Sequence, residues 1–467
     1  MRYVSTRGQA APASFLDAVV AGLAPDGGLY VPESWPSLGA FVREAGVRDY
    51  ASVASVVLEA FAGAALSPSA RHEITQRAYG PQSAFDTAAI TPLIQLGANH
   101  WLLDLARGPS LAFKDIAMQL IGPLYDYALA ARDQRLSVVC ATSGDTGGAA
   151  VEALKKSDRA DLFVLLPKGR VSEVQRRFMT ASGGAHVHAI EIDSDFDACQ
   201  AIVKALFADA EFAARASLSG VNSINWARIV AQSVYFLRTA SALSAPGPVD
   251  FVVPSGNMGD AFAGFVAKKL GAPVGRIGLA TNSNNILARA IQTGRYERAP
   301  QSLATLSPAM DIQVASNFER LLYDATGDAD IVAGAYRAMT QSGGFDVPAP
   351  ALEKMRETFS GVSADDAATL REMAQAYKQD GLLICPHTAV GFAAYGDEPK
   401  WGDRPTVFLA TAHPAKFPET VAQATGVSPP LPAKCADLYE RSEKFDPLPA
   451  DAEAVKRYIR ERSRAWS

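Results

Sequence analysis

The chain has 467 residues, of which 48% are hydrophobic and 20% charged, with 36 glycines and 28 prolines. That places it among globular proteins of roughly two or three packed units and excludes disordered and fibrous classes. A net charge of −5 argues against a nucleic-acid surface, so an anionic ligand must be met by a local group of cations.

The N-terminus has no secretory h-region, because the first apolar stretch, Phe15 to Leu23, is interrupted by Asp17 and Gly22. No stretch approaches membrane-spanning length. From Ser14 to about Tyr79, helix-like apolar spacing is broken at Pro25-Asp26-Gly27-Gly28, Pro32 and Pro36, which predicts a helical N-terminal unit over 1–90. From Thr91 onward the pattern changes. Short runs rich in Val, Ile and Leu (Leu136 to Cys140, Leu162 to Leu166, Val187 to Ile192, Val249 to Val253, Ile277 to Ala280, Thr406 to Leu409) alternate with helical stretches. That alternation predicts parallel α/β layers covered on both faces. Two α/β domains are expected, over 91–245, with a smaller subdomain at about 130–220, and over 246–467. Strand signals fade between about 292 and 379, which predicts a helical insertion there. The basic end, from Lys456 to Arg464, reads as a solvated helix face. Cys140, Cys199, Cys385 and Cys435 are scattered without a Cys-x-x-Cys pair, so neither a disulfide framework nor a metal site is expected, and a reducing cytoplasmic setting follows.

The chemistry centres on Gly108-Pro109-Ser110-Leu111-Ala112-Phe113-Lys114-Asp115. An amine flanked by Leu111, Ala112 and Phe113 is partly desolvated, which penalises the ammonium and favours the free amine. Such an amine can form a Schiff base with an aldehyde cofactor. Most lysines in this setting simply open a helix at the surface, and it is the following loops that shift the balance.

Cys140-Ala141-Thr142-Ser143-Gly144-Asp145-Thr146-Gly147-Gly148 follows a strand and leads into a helix. Hydroxyls from Thr142, Ser143 and Thr146, with exposed amides, suit an amino acid's carboxylate; the plainer reading is helix capping by Ser143 or Asp145. Ser255-Gly256-Asn257-Met258-Gly259-Asp260 repeats the logic after Val249 to Pro254, its glycines and helix N-terminus inviting a phosphate. Asp260 is expected to hold that loop's amides from behind or to cap the helix. The spacing is neither a dinucleotide fingerprint nor a P-loop. Thr406 to Phe417 is a third strand end with polar residues at its carboxyl side, where open α/β sheets bind ligands. Thr411 there can hydrogen-bond a pyridine nitrogen without protonating it.

A lysine and two loops of this kind make the chain look like a pyridoxal phosphate enzyme. With Tyr3 to Gly8, Asp26-Gly27-Gly28-Leu29, Asn222-Ser223-Ile224-Asn225-Trp226-Ala227-Arg228, Ala280 to Asn284 and His413-Pro414-Ala415-Lys416-Phe417, it resembles the threonine synthases, fold-type II enzymes of the tryptophan synthase β-like class, in their longer bacterial and fungal branch. The resemblance implies Lys114 as cofactor lysine, Gly256, Asn257, Met258, Gly259 and Asp260 in the phosphate loop, and Thr411 at the ring nitrogen. It places the substrate on Thr142, Ser143, Asp145, Thr146 and Gly147. It further implies O-phospho-L-homoserine as substrate and a monomer or weak dimer. Candidate cations for the substrate's phosphate are Arg228, Lys168 and Lys416. A phospho-lyase forming 2-oxobutyrate and a non-catalytic binding homologue are the competing readings.

Overall fold

The structure is a computed structural model and describes residues 1–142, 144–244, 247–396 and 404–466. Its architecture follows from two sets of strands buried on both faces. In Val249–Pro254 and Ala160–Pro167 every residue is buried, so apart from Asp250 and Asp161 these segments read as apolar runs rather than alternating ones. The larger sheet has six strands in the order Phe359–Ser363, Val274–Thr281, Val249–Pro254, Thr406–Ala410, His100–Asp104 and Leu93–Gln95. All its pairings are parallel except the last, at the Leu93–Gln95 edge. The smaller sheet is wholly parallel, in the order Asp446–Leu448, Val187–Ile192, Ala160–Pro167, Leu136–Ala141 and Leu218–Ser219.

Three placements differ from the sequence expectation. His100–Asp104 pairs with Thr406–Ala410, so the start of the 91–245 stretch belongs to the larger sheet. At the other end of the chain, Asp446–Leu448 pairs with Val187–Ile192, and the helix Ala452–Arg462 packs on Phe196–Ala208. The apolar stripe Val455, Tyr458 and Ile459 is buried there while Arg457, Arg460 and Arg462 stay exposed. The units are therefore interleaved in sequence rather than contiguous. Within 292–379, finally, Arg295–Glu297 and Gly344–Asp346 form an antiparallel pair, and Phe359–Ser363 is an edge strand of the larger sheet. These strands are three to five residues long and carry Ser, Gly, Arg or Asp, so their apolar signal is weak.

The N-terminal unit is locked to the body by aromatic packing and by one charged cluster. Tyr3, Trp35 and Phe61 surround the buried Trp226. Arg7 makes a two-pronged ion pair with Glu319, at 3.0 Å for each nitrogen, and Thr6 donates to the same carboxylate. The neighbouring Arg320, fully buried, donates to the carbonyls of Tyr30 and Ile224 and to Asn317 Oδ1. This cluster fixes the start of the helix Phe318–Thr326, which abuts the Gly256 loop. Among the described residues no helix is long and apolar enough to cross a membrane.

Candidate active site

The carboxyl ends of strands from both sheets open onto one cleft of about 1480 Å³, where an open α/β sheet is expected to place its ligand. Lys114 is the first residue of the helix Lys114–Ala130. The segment before it lies along the exit of Thr406–Ala410, with Phe113 N donating to Thr411 O (2.8 Å) and His413 N to Leu111 O (3.0 Å). Buried Asp115 ties this segment from behind, accepting from Ser110 N (2.8 Å) and Ser110 Oγ (2.6 Å), and burial pushes its carboxyl up to about 6. Leu111 sits at φ 62°, a left-handed conformation a branched residue keeps only when its surroundings hold it there.

The expected apolar bed is present, with Lys114 Nζ 4.7 Å from the centre of the Phe113 ring, but the amine also has a carboxylate. Asp145 Oδ2 lies 3.3 Å from Lys114 Nζ. Burial lowers the amine's proton affinity below the ordinary lysine value; Asp145 opposes this, and Arg228 and Lys416 reinforce it.

Met258, at φ 60°, turns the chain after Val249–Pro254 into the helix Gly259–Lys269. Only glycine fits at 256, because a Cβ there would lie 2.9 Å from Ala309 O. Asn257 O accepts from Asn317 N and Nδ2, both at 3.1 Å, and Asn257 Oδ1 accepts from Ser316 Oγ at 3.2 Å. The turn is thus pre-set by residues some sixty positions away. The first amides of a helix have no intrahelical acceptor, and Gly256 to Asp260 line the cleft, so the start of this helix fits a phosphate. Asp260 departs from expectation. Among the described residues no loop amide donates to it; the Tyr235 hydroxyl donates to Oδ1, while Oδ2 is buried without a partner. The reason is packing of the helix Trp226–Leu243 against Gly259–Lys269, which aims the carboxyl inward, and burial pushes it up to about 7.

Thr411 follows the strand Thr406–Ala410 and lines the cleft with its Oγ1 buried and unpartnered. A buried hydroxyl without a partner is costly unless a ligand completes it. With the helix seat and Lys114 on the same cleft, the residues present fit a phosphate-bearing pyridine aldehyde.

In the other loop, Thr142 does the capping foreseen for Ser143 or Asp145: its Oγ1 accepts from Gly144 N (2.9 Å) and Gly147 N (3.0 Å). Ser143 lies outside the described residues. Thr146 lines the cleft, and Gly147 is packed so closely that a Cβ would meet Met179 Sδ at 2.4 Å. Asp145 lines the cleft but does not cap the helix; its Oδ1 accepts from Gln175 Nε2 (3.0 Å) and Lys416 Nζ (2.8 Å). Against the cost of burial, Lys416 and Lys114 hold its carboxyl well below the usual range.

Of the three candidate cations, only Arg228 stands on the cleft wall. It is buried, donates through Nη1 to Val221 O (3.0 Å), and leaves Nε without a partner. Lys168 is exposed and pairs with Asp193 at 3.5 Å, outside the cleft lining, because its strand ends where the chain turns outward to solvent. Lys416 is fully buried beneath the site, bonded to Ser110 O (2.7 Å) and Asp145. Sequence reasoning passed over Asp115, Gln175, Tyr235 and His387. His387 lines the cleft, its Nε2 accepting from Ala309 N (3.2 Å), and burial pushes its ring down to about 4. The one available signal was Pro386-His387 directly after the apolar run ending at Cys385.

The fold and these groups define a pyridoxal-phosphate enzyme of fold type II, and the family model described as pyridoxal-phosphate dependent enzyme matches residues 85–412. Models for the threonine synthase N terminus and C-terminal region match 2–79 and 388–459. The chain belongs to the threonine synthase family. It is 44% identical over 464 residues to threonine synthase of Pseudomonas aeruginosa, covering 98% of each chain. Among solved structures it superposes on the PLP-bound threonine synthase of Brucella melitensis with a TM-score of 0.95, at 47% identity and 100% coverage of both chains. The yeast threonine synthase structure gives a TM-score of 0.90 at 34% identity, covering 99% of this chain and 98% of that one.

Proposed function

We propose that the chain converts O-phospho-L-homoserine and water to L-threonine and phosphate, as a carbon–oxygen lyase acting at the last step of threonine biosynthesis. The observation that carries this reading is Arg228: a buried guanidinium on the wall of the Lys114 cleft, with Nε unpartnered. The helix seat at Gly256 to Gly259 suits the cofactor's phosphate, so a separate buried cation suits a phosphate on the substrate.

Pyridoxal 5'-phosphate, when bound, supplies the electron sink that makes the substrate's carbon-bound protons removable. Thr411 Oγ1, buried without a partner on the cleft wall, would hold the ring nitrogen as a neutral hydroxyl. Lys114 holds the cofactor and, with its lowered proton affinity, takes and returns substrate protons. The loop from Thr142 to Gly147 receives the substrate's carboxylate, with Thr146 on the cleft wall. Arg228 offsets the charge of the phosphate as the Cγ–O bond breaks, and water then adds at Cβ. Four buried free thiols suit a reducing, cytoplasmic setting.

The test is to incubate the holoenzyme with O-phospho-L-homoserine and quantify phosphate, threonine and 2-oxobutyrate. Phosphate and threonine in equal amounts support the assignment. Phosphate with 2-oxobutyrate assigns a phospho-lyase instead, and no phosphate release refutes both.

A further inference from the structure

A buried chain of alternating charge underlies the site: Lys114 Nζ, the Asp145 carboxylate and Lys416 Nζ, with contacts of 3.3 Å and 2.8 Å on the two carboxylate oxygens. Lys416 is 0% exposed and Asp145 5%. Lys416 Nζ also donates to Ser110 O at 2.7 Å, and its own carbonyl accepts from Ser172 Oγ at 3.0 Å. It therefore joins the lysine segment, the Asp145 helix and the turn after Thr411. A lysine with no solvent access, no place on the cleft wall and two buried partners is built for something other than holding a soluble anion.

We propose that Lys416 is a positioning residue for Lys114: it keeps the Asp145 carboxylate compensated whether the Lys114 nitrogen is charged, neutral or bonded to the cofactor, and so lets that nitrogen give up its proton. The argument is a charge count. With Lys416 present, loss of the Lys114 proton leaves a neutral Asp145–Lys416 pair. Without it, the same loss leaves a buried carboxylate with no hydrogen-bonded cation, which is strongly unfavourable. The other groups acting on Lys114 are Arg228 on the helix Trp226–Leu243, Asp260 on Gly259–Lys269 and His387 on Pro386–Tyr395. None of these donates a hydrogen bond to Asp145, whereas Lys416 and Gln175 do, and of those two only Lys416 is a cation.

The inference rests on Lys114 being the cofactor lysine. The experiment follows, against pH, the rate at which the full-length chain, stripped of cofactor, takes up added pyridoxal phosphate, read from its visible absorbance. Only the neutral amine attacks the aldehyde. Lys416→Met should move the midpoint of that profile upward by about one pH unit or more, as expected for losing a cation that shares the Asp145 carboxylate with Lys114. Lys416→Arg, which restores the charge, should return it most of the way. A Lys416→Met protein that melts like wild type and keeps the wild-type midpoint overturns the proposal. If Lys416→Met does not fold, Asp145→Asn decides: it leaves two cations facing each other and should lower the midpoint, and an unmoved midpoint overturns the proposal equally. Wild-type protein that forms no visible band would instead overturn the assignment of Lys114 itself.

Discussion

Replacing Thr411 with valine separates a ligand contact from a fold contact. In the structure its Oγ1 is buried with no partner, while its backbone is held through Thr388 Oγ1 (3.2 Å) and Phe113 N (2.8 Å), neither of which the substitution touches. Valine matches threonine in shape, so the protein without cofactor loses no hydrogen bond and sheds the cost of an unsatisfied buried hydroxyl. Its melting temperature should hold or rise. The holoenzyme loses one hydrogen bond to the ring nitrogen, worth about 1 kcal/mol net, so pyridoxal phosphate should bind about fivefold more weakly. The assay pairs thermal melting of the cofactor-free chain with equilibrium titration of the cofactor. Unchanged cofactor affinity would remove Thr411 from the ring nitrogen, and a fall in the cofactor-free melting temperature would show that the hydroxyl serves the fold.

Lys114→Ala should abolish threonine formation while leaving the melting temperature of the cofactor-free protein close to wild type; turnover within about tenfold of wild type, 1.4 kcal/mol of barrier, would sink its role. Arg228→Met should raise KM for O-phospho-L-homoserine sharply, whereas Lys168→Met, at an exposed pair with Asp193, should leave it unchanged; equal effects would contradict the placement of the two cations. Because burial raises the Asp260 carboxyl from its ordinary 3.8 to about 7, its contribution to stability is complete below pH 3.8 and lost as pH rises through about 7. Asp260→Asn, which cannot ionise, should therefore raise the melting temperature of the cofactor-free chain more at pH 8 than at pH 5, and a difference independent of pH would refute the burial argument.

Local pattern carried the parts of the site that local geometry makes. Gly256 to Asp260 and the segment after Leu136–Ala141 each lie where a buried strand turns through small residues into a helix, and Thr411 directly follows another strand, so all three were legible as candidates for the cleft that they line. Lys114 was legible for the same reason, as a lone amine opening a helix behind an apolar run. Charge partners were not. Lys416 meets Ser110 across 306 positions, and its likeness to Lys168 and Arg228 as a free cation holds only until the chain folds. Asp145 reads as a helix cap from its neighbours; it becomes the counter-ion of two lysines because the turn Pro414–Lys416 and the helix Lys114–Ala130 converge on it. The alternation of strands and helices determined the α/β class, since an apolar run covered on both faces needs helices on each side. Which strands share a sheet was decided by tertiary structure alone, and it set Asp446–Leu448 beside Val187–Ile192 and His100–Asp104 beside Thr406–Ala410. The backbone hydrogen bonds that join two parallel strands leave no trace in the spacing of their side chains.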